Sequence, residues 1–308
     1  MIDVRRMIFV LLSLAGVLSN ASNVRAHEPL WGEAAATWGQ GMSHVSASFH
    51  VRPNFQLRRG GSNVPNPDER QQTLCSQSFH VSRGIGPRVN LMLDIPMTRL
   101  GLSQNGQESY KADYWELSDL TLEGKWRFDL KRGRGAKRHQ SLSIGVHLPT
   151  GVTDRRDSTG ALLEPHMQPG TGGFGMVFGY SFTKSTLRTA TWASIEYEHA
   201  FDQLRFTHGD HLEGSVAYGW WLKNPDSLDT WGANWAWGVY GEWAGNDSHL
   251  GATDLDSGGY MGGVHTTFIV KKSRHEFKAG VMVPLIRHVN GTQLSPSYEL
   301  GFAAETFF

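Results

Sequence analysis

The chain has 308 residues, with 29 lysines and arginines against 29 aspartates and glutamates, 36 glycines and a single cysteine. So even a charge balance argues against nucleic acid as a partner, and the lone Cys75 excludes an intrachain disulfide framework. Abundant glycine with 11% aromatic residues suits tightly curved antiparallel sheet better than helix.

Residues 1 to 26 carry Arg5 and Arg6, an apolar run over 7 to 18, and a polar stretch closing on Val24, Arg25 and Ala26. That is the pattern of a cleaved secretory signal peptide, with the mature chain starting at His27. The apolar run is too short for a membrane-spanning helix, which needs roughly 20 residues. Cleavage removes three arginines and one aspartate and leaves 26 basic against 28 acidic residues. Residues 27 to 41, HEPLWGEAAATWGQG, carry Trp31 and Trp38 and are expected as a periplasmic lead-in or a plug inside a lumen. Residues 42 to 308 form the remaining domain.

Read at period two, that domain breaks into twelve alternating runs. They predict strands over 42 to 52, 73 to 83, 88 to 99, 114 to 130, 139 to 149 and 173 to 183. Further strands follow over 188 to 200, 211 to 223, 231 to 243, 258 to 271, 274 to 285 and 297 to 308. In the ninth run Trp231, Ala233, Trp235, Trp237, Val239 and Trp243 oppose Asn234, Gly238, Tyr240 and Glu242. Each strand thus has one apolar and one polar face. Connections alternate long and short, from the long 53 to 72 and the short 84 to 87 onward to a long 286 to 296.

This rhythm predicts an all-β fold, a single antiparallel transmembrane β-barrel of about 12 strands, with short periplasmic turns and long extracellular loops. Lipid offers no hydrogen-bond partners, so the sheet must close on itself, the last strand sealing against the first. An even strand count puts both ends of the chain on the periplasmic side. The expected partners are outer-membrane lipid, the barrel-assembly machinery and a small-molecule solute. Trp126, Trp220, Trp231, Trp243 and Phe308 are candidates for interfacial aromatic belts.

HLPTG at residues 147 to 151, followed after a long loop by PGTGGFGMVFGYSF at 169 to 182, resembles the outer-membrane barrel family tied to the meta-cleavage pathway of phenol degradation. The opening HEPLWGE, residues 27 to 33, is similar to the start of related outer-membrane transporters. The resemblance implies a porin-like barrel for aromatic or poorly soluble compounds, and it carries no catalytic residues over. PTG and GTG have a structural explanation as well, because Pro149 ends a strand and the glycines permit tight loop bases. The last strand departs from the usual assembly signal, with Thr306 and Ala303 where an aromatic and a glycine are typical.

With apolar sides on lipid, the opposite sides line a lumen: Arg52, His80, Asp94, Glu123, Lys125, Arg127, Asp129, His147, Trp192, Glu196, Glu198, Glu213, Tyr240, Glu242, Lys278 and Glu299. Twelve strands leave a narrow passage, and mixed charge inside it points first to ion-pair networks. Trp31, Trp38, Trp192 and Tyr240 could offer stacking surface to an aromatic solute. Metal-linked, for instance copper, transport is an alternative, with His27 as the terminal ligand, yet histidine spacing predicts no metal site and no cofactor. A structural or adhesive barrel is a third reading. HVS at 44 to 46 and 80 to 82 raises a lipid hydrolase, but both pairs face the lumen, so no catalytic residue and no enzyme is expected.

Overall fold

The computed structural model describes residues 28 to 105, 109 to 133, 135 to 164, 167 to 201, 206 to 224 and 230 to 308. The signal-peptide reading and His27 fall outside the described residues. Twelve strands follow one another: β1 (Ser43–Gly60), β2 (Gln71–Gly86), β3 (Val89–Gln104), β4 in two pieces (Tyr110–Leu117 and Leu120–Gly133), β5 (Ala136–Leu148) and β6 (Gly175–Thr186). The rest are β7 (Thr189–Ala200), β8 (His211–Lys223), β9 (Gly232–Ala244), β10 (Gly259–Lys272), β11 (His275–Pro296) and β12 (Glu299–Phe307). Each pairs antiparallel with the next, and β12 returns to β1 from His44 opposite Phe307 to Val51 opposite Leu300. The sheet is a closed twelve-stranded barrel.

Its burial pattern is inverted relative to a water-soluble sheet. Trp126, Ile144, Val216, Trp237, Val239, Phe277 and Phe302 point outward and stand about half exposed, while Asn90, Lys125, Ser141, Thr183, Thr267, Glu276 and Lys278 point inward and are buried. A continuous apolar belt of this extent is unstable in water and is what a bilayer wets. Trp220 against Trp235 (4.9 Å) and Lys272 over Trp231 (5.4 Å) lie toward the short-turn rim. Phe308 closes that rim through backbone bonds with Ser43 of 2.8 and 3.0 Å.

The strands outrun their apolar stretches. β1 continues to Gly60 and β3 to Gln104, beyond the expected ends at 52 and 99, because above the belt both faces are polar and period two vanishes while backbone pairing persists. Residues 286 to 296, expected as a long loop, are strand instead. They rise beside β10 to Val289, reverse near Gly291, and descend beside β1 from Arg59 opposite Thr292 to Asn54 opposite Pro296. The predicted strand over 114 to 130 is likewise broken at Ser118 and Asp119. Inward positions are even-numbered before the break and odd-numbered after it, since Thr98 faces Glu116 while Asp94 faces Thr121.

Candidate functional site

The short-turn half of the lumen is occupied by residues 28 to 42. This segment enters beside the first strand, climbs to a bend at residues 30 to 32 and turns back, so that Glu28 reaches Lys278 near the same rim (3.7 Å). Only Gly41 and Met42 exchange backbone bonds with a strand, at Gly84 (2.8 and 2.9 Å); before them no strand partner occurs among the described residues, yet buried backbone donors need acceptors. The wall supplies them from side chains. Leu30 N–H donates to Thr267 Oγ1 (3.3 Å), Glu33 N–H to Ser194 Oγ (3.2 Å), Ala35 N–H to Thr183 Oγ1 (2.9 Å) and Trp38 N–H to Asn90 Oδ1 (3.1 Å). Gly32, at φ 138°, permits the bend, since a Cβ there would stand 2.3 Å from Ser215 Oγ.

Both tryptophans of the segment anchor it. Trp38 packs on His44 (4.8 Å) and the inward-facing Phe307 (5.0 Å) and donates from Nε1 to Ser82 Oγ (2.6 Å). Trp31 sits among Tyr240, Met261 and Met282 and donates from Nε1 to Glu299 Oε1 (2.9 Å). Between them Ala34 packs on Trp192, Ala190, Ala217 and Ala236. Lys125, buried, binds Glu33 and donates to the Ala34 carbonyl (2.7 Å). Trp192 and Trp38 thus belong to two small cores along the segment, one around Ala34 and one with Met42 and Phe307.

Above Trp31 runs a band of polar side chains. Arg52 bonds Glu299 (2.8 Å) and faces Glu242 (3.5 Å); His50 Nδ1 meets Glu299 Oε1 at 2.7 Å; the Tyr240 hydroxyl donates to Glu213 (2.8 Å) and Glu242 (3.0 Å). A cavity of about 1050 Å³ opens over it, lined in part by His80, Asp94, Glu123, His147, Glu196, Glu198, Glu213 and Glu242. His147 pairs with Glu198 (3.6 Å) and Thr121 (2.7 Å), and Asp94 accepts from Ser78 beside His80 (3.9 Å). Lys278 joins Glu305 (2.6 Å) and Glu276 (3.6 Å) beneath the segment.

Arg127 and Asp129, both placed in the lumen by alternation, part at the short-turn rim: Arg127 stands opposite the inward Ser141, whereas Asp129 stands opposite Gln140 on the outward face. The sheet bulges between them, Arg127 donates to the Pro87 carbonyl (2.9 Å), and Asp129 accepts from Arg138 (2.6 Å) and Gln140 (2.8 Å).

The outer half is shaped by the loop over 149 to 174. Its base is tied to the break in β4, where the buried Asp119 carboxylate accepts from Gly151 N–H (2.8 Å), Thr171 N–H (2.7 Å) and Thr171 Oγ1 (2.5 Å). The two ends of the loop touch at Gly151 and Gly170, where a Cβ on either would fall within 2.5 Å of the other's backbone. PTG and GTG are therefore one clasp with Asp119 as its hook. Farther along, Leu163 and Met167 fold onto the inward face of Leu74, Leu100, Leu102, Ala112 and Tyr114. Asp119 and the Ser, Thr and Asn acceptors escaped the sequence reading. The run of small hydroxyls at inward positions, such as Ser141, Ser143, Ser181, Thr183, Ser194 and Ser215, was their signal.

Neither HVS pair approaches lipid: His44 lies under Trp38 and His80 beside Asp94, all on the lumen side. Among the described residues no group of three His, Cys, Asp or Glu side chains is placed to hold a metal.

Fold and lumen define a transmembrane β-barrel of the outer-membrane type. An outer-membrane channel from Pseudomonas putida F1 superimposes with a TM-score of 0.67 at 12% identity, over 88% of this chain and 97% of that one. The β-domain of the Bordetella autotransporter BrkA gives a TM-score of 0.48 at 11% identity, over 87% and 100%. No family model matches the sequence, and no curated protein does. At such identities the likeness is one of fold.

Proposed function

We propose that this chain is an exported outer-membrane channel that passes a small solute, and that residues 28 to 41 hold its short-turn half closed. The observation that carries this reading is the cavity of about 1050 Å³ between the segment and the outer loops, inside a wall whose outer side is apolar. It is of the size that ligand pockets reach. The likeness in fold to the Pseudomonas putida channel supports the same class. Export through the signal peptide and insertion by the barrel-assembly machinery belong to this reading. The family resemblance adds an aromatic or poorly soluble solute. Stacking of such a solute on Trp31, Trp38 or Trp192 requires the segment to withdraw, because packing now buries all three rings. Copper passage and lipid hydrolysis have less support, since no metal-holding group and no lipid-facing Ser–His pair occurs among the described residues.

Single-channel recording of the full chain and of a variant lacking residues 28 to 40 is the test. The deletion is expected to raise conductance several-fold. Equal conductance in the two would refute closure by the segment, and absence of current in both would refute the channel. Liposome swelling with phenol against sugars then reads the solute.

A further inference from the structure

We infer that the solute this lumen favours is a cation; the inference rests on the channel reading above and names its solute class. Glu196 on β7 stands directly opposite Glu213 on β8, and Glu213 opposite Glu242 on β9, all three side chains pointing into the cavity. Cross-strand neighbours have Cβ atoms about 5 Å apart, and like charges so placed repel. Only Glu242 has a guanidinium, that of Arg52 (3.5 Å). Glu213 receives the neutral Tyr240 hydroxyl, and among the described residues no lysine or arginine stands within salt-bridge distance of Glu123, Glu196 or Glu213.

A recess beside this row has the same character. Glu123 faces Gly145 and Glu196 faces Gly179, so two carboxylates reach over positions with no side chain. A Cβ on Gly179 would stand 2.2 Å from Ser143 Oγ and 3.7 Å from Glu196 Oε2, which places hydroxyl and carboxylate around one space. Ser143 is 7% exposed, and among the described residues its hydroxyl and the adjacent Glu123 carboxylate have no hydrogen-bond partner outside this recess. Lys125, the nearest inward cation along β4, is taken by Glu33 and the Ala34 carbonyl. The recess therefore presents oxygen acceptors and little positive charge. Buried carboxylates without a counter-charge cost free energy, and an alkali cation or a protonated amine passing through the cavity relieves that cost. Rings of carboxylates select cations in channels by the same physics.

The test is the reversal potential of the full chain in a planar bilayer under a potassium chloride gradient, at mildly alkaline pH. Cation permeability is expected to exceed anion permeability by on the order of tenfold, as Glu123, Glu196 and Glu213 concentrate counter-ions around themselves. In the triple variant E123Q, E196Q and E213Q it should fall to near unity. A wild-type potential at zero or of anion sign, or an unchanged triple variant, overturns the inference. Ethylammonium in place of potassium must keep the sign, and its loss overturns the passage of protonated amines. If the full chain carries no current, the channel reading has failed. The recess is then read directly by calorimetric titration of the detergent-solubilised barrel with ethylammonium chloride: saturable binding that the triple variant loses supports the cation site, and its absence overturns it. Glutamine removes repulsion without changing shape, so the variant should fold, as heat-modifiable gel mobility will show.

Discussion

The two halves of the lumen are closed off by different means. Toward the short-turn rim the filling is a segment from outside the sheet, held by side-chain oxygens of several strands and by two tryptophans. Toward the outer rim it is a loop between two strands, held at its base by one carboxylate. The first filling is bound to the wall much as a peptide ligand is, through many separable contacts, and can leave without undoing any strand pairing. The second is covalently continuous with β5 and β6 and can only tilt about its clasp. In the channel reading proposed above, withdrawal belongs to residues 28 to 40, whereas the loop sets the shape of the vestibule.

The comparison breaks most sharply at Trp38. Replacing it by alanine removes the contacts with His44 and Phe307 and the bond to Ser82, a loss of about 3 to 5 kcal/mol for a buried tryptophan. The expected result is release of the segment with the barrel intact: higher conductance, new protease cleavage within residues 28 to 41, and unchanged heat-modifiable mobility. Loss of the folded barrel would show instead that segment and wall are one cooperative unit.

Asp119→Ala comes next. It leaves the N–H groups of Gly151 and Thr171 without their acceptor, at about 3 kcal/mol for charge-assisted bonds of this kind. Here the segment should stay docked while the loop over 149 to 174 becomes protease-sensitive. Cleavage in both regions would mean that the two fillings communicate.

How much of this was legible follows from where contrast between faces exists. Within the apolar belt, alternation located every strand, and 211 to 223 coincides with β8 end to end. Above the belt the contrast ends, so 286 to 296 looked like loop although Thr292 to Ser295 pair with β1. The predicted strand over 114 to 130 ran straight through the parity switch at Ser118 and Asp119, because the partners that fix it, Gly151 and Thr171, lie 32 and 52 residues away. Alternation put Glu123, Glu196, Glu213 and Glu242 on the face that lines the cavity, whereas the bulge after Arg127, which alternation does not show, turns Asp129 to the other face. The arrangement of glutamates in facing pairs needed the register, which period two does not encode. Trp31 and Trp38 stood out by size, but which inward hydroxyls would receive their segment depended on three-dimensional height along the barrel.

The smallest expected effect sharpens the contrast at the loop tip, outside the bilayer. The Asp157 carboxylate accepts from Thr159 Oγ1 (2.6 Å), Thr159 N–H (2.8 Å) and Ala161 N–H (3.0 Å). The Thr159 hydroxyl bond foremost holds its pKa below the ordinary aspartate value of 3.8. A carboxyl depressed in the folded state contributes stability above its unfolded pKa and loses that contribution as pH falls through the lower, folded value. Acidification below the ordinary aspartate range should therefore loosen residues 157 to 161. Asp157→Asn should abolish that pH dependence while leaving conductance and segment docking unchanged. Hydrogen exchange at the Thr159 and Ala161 amides across the acid range reads it directly, and a variant with the wild-type pH profile would show that the tip is held by something other than this carboxylate.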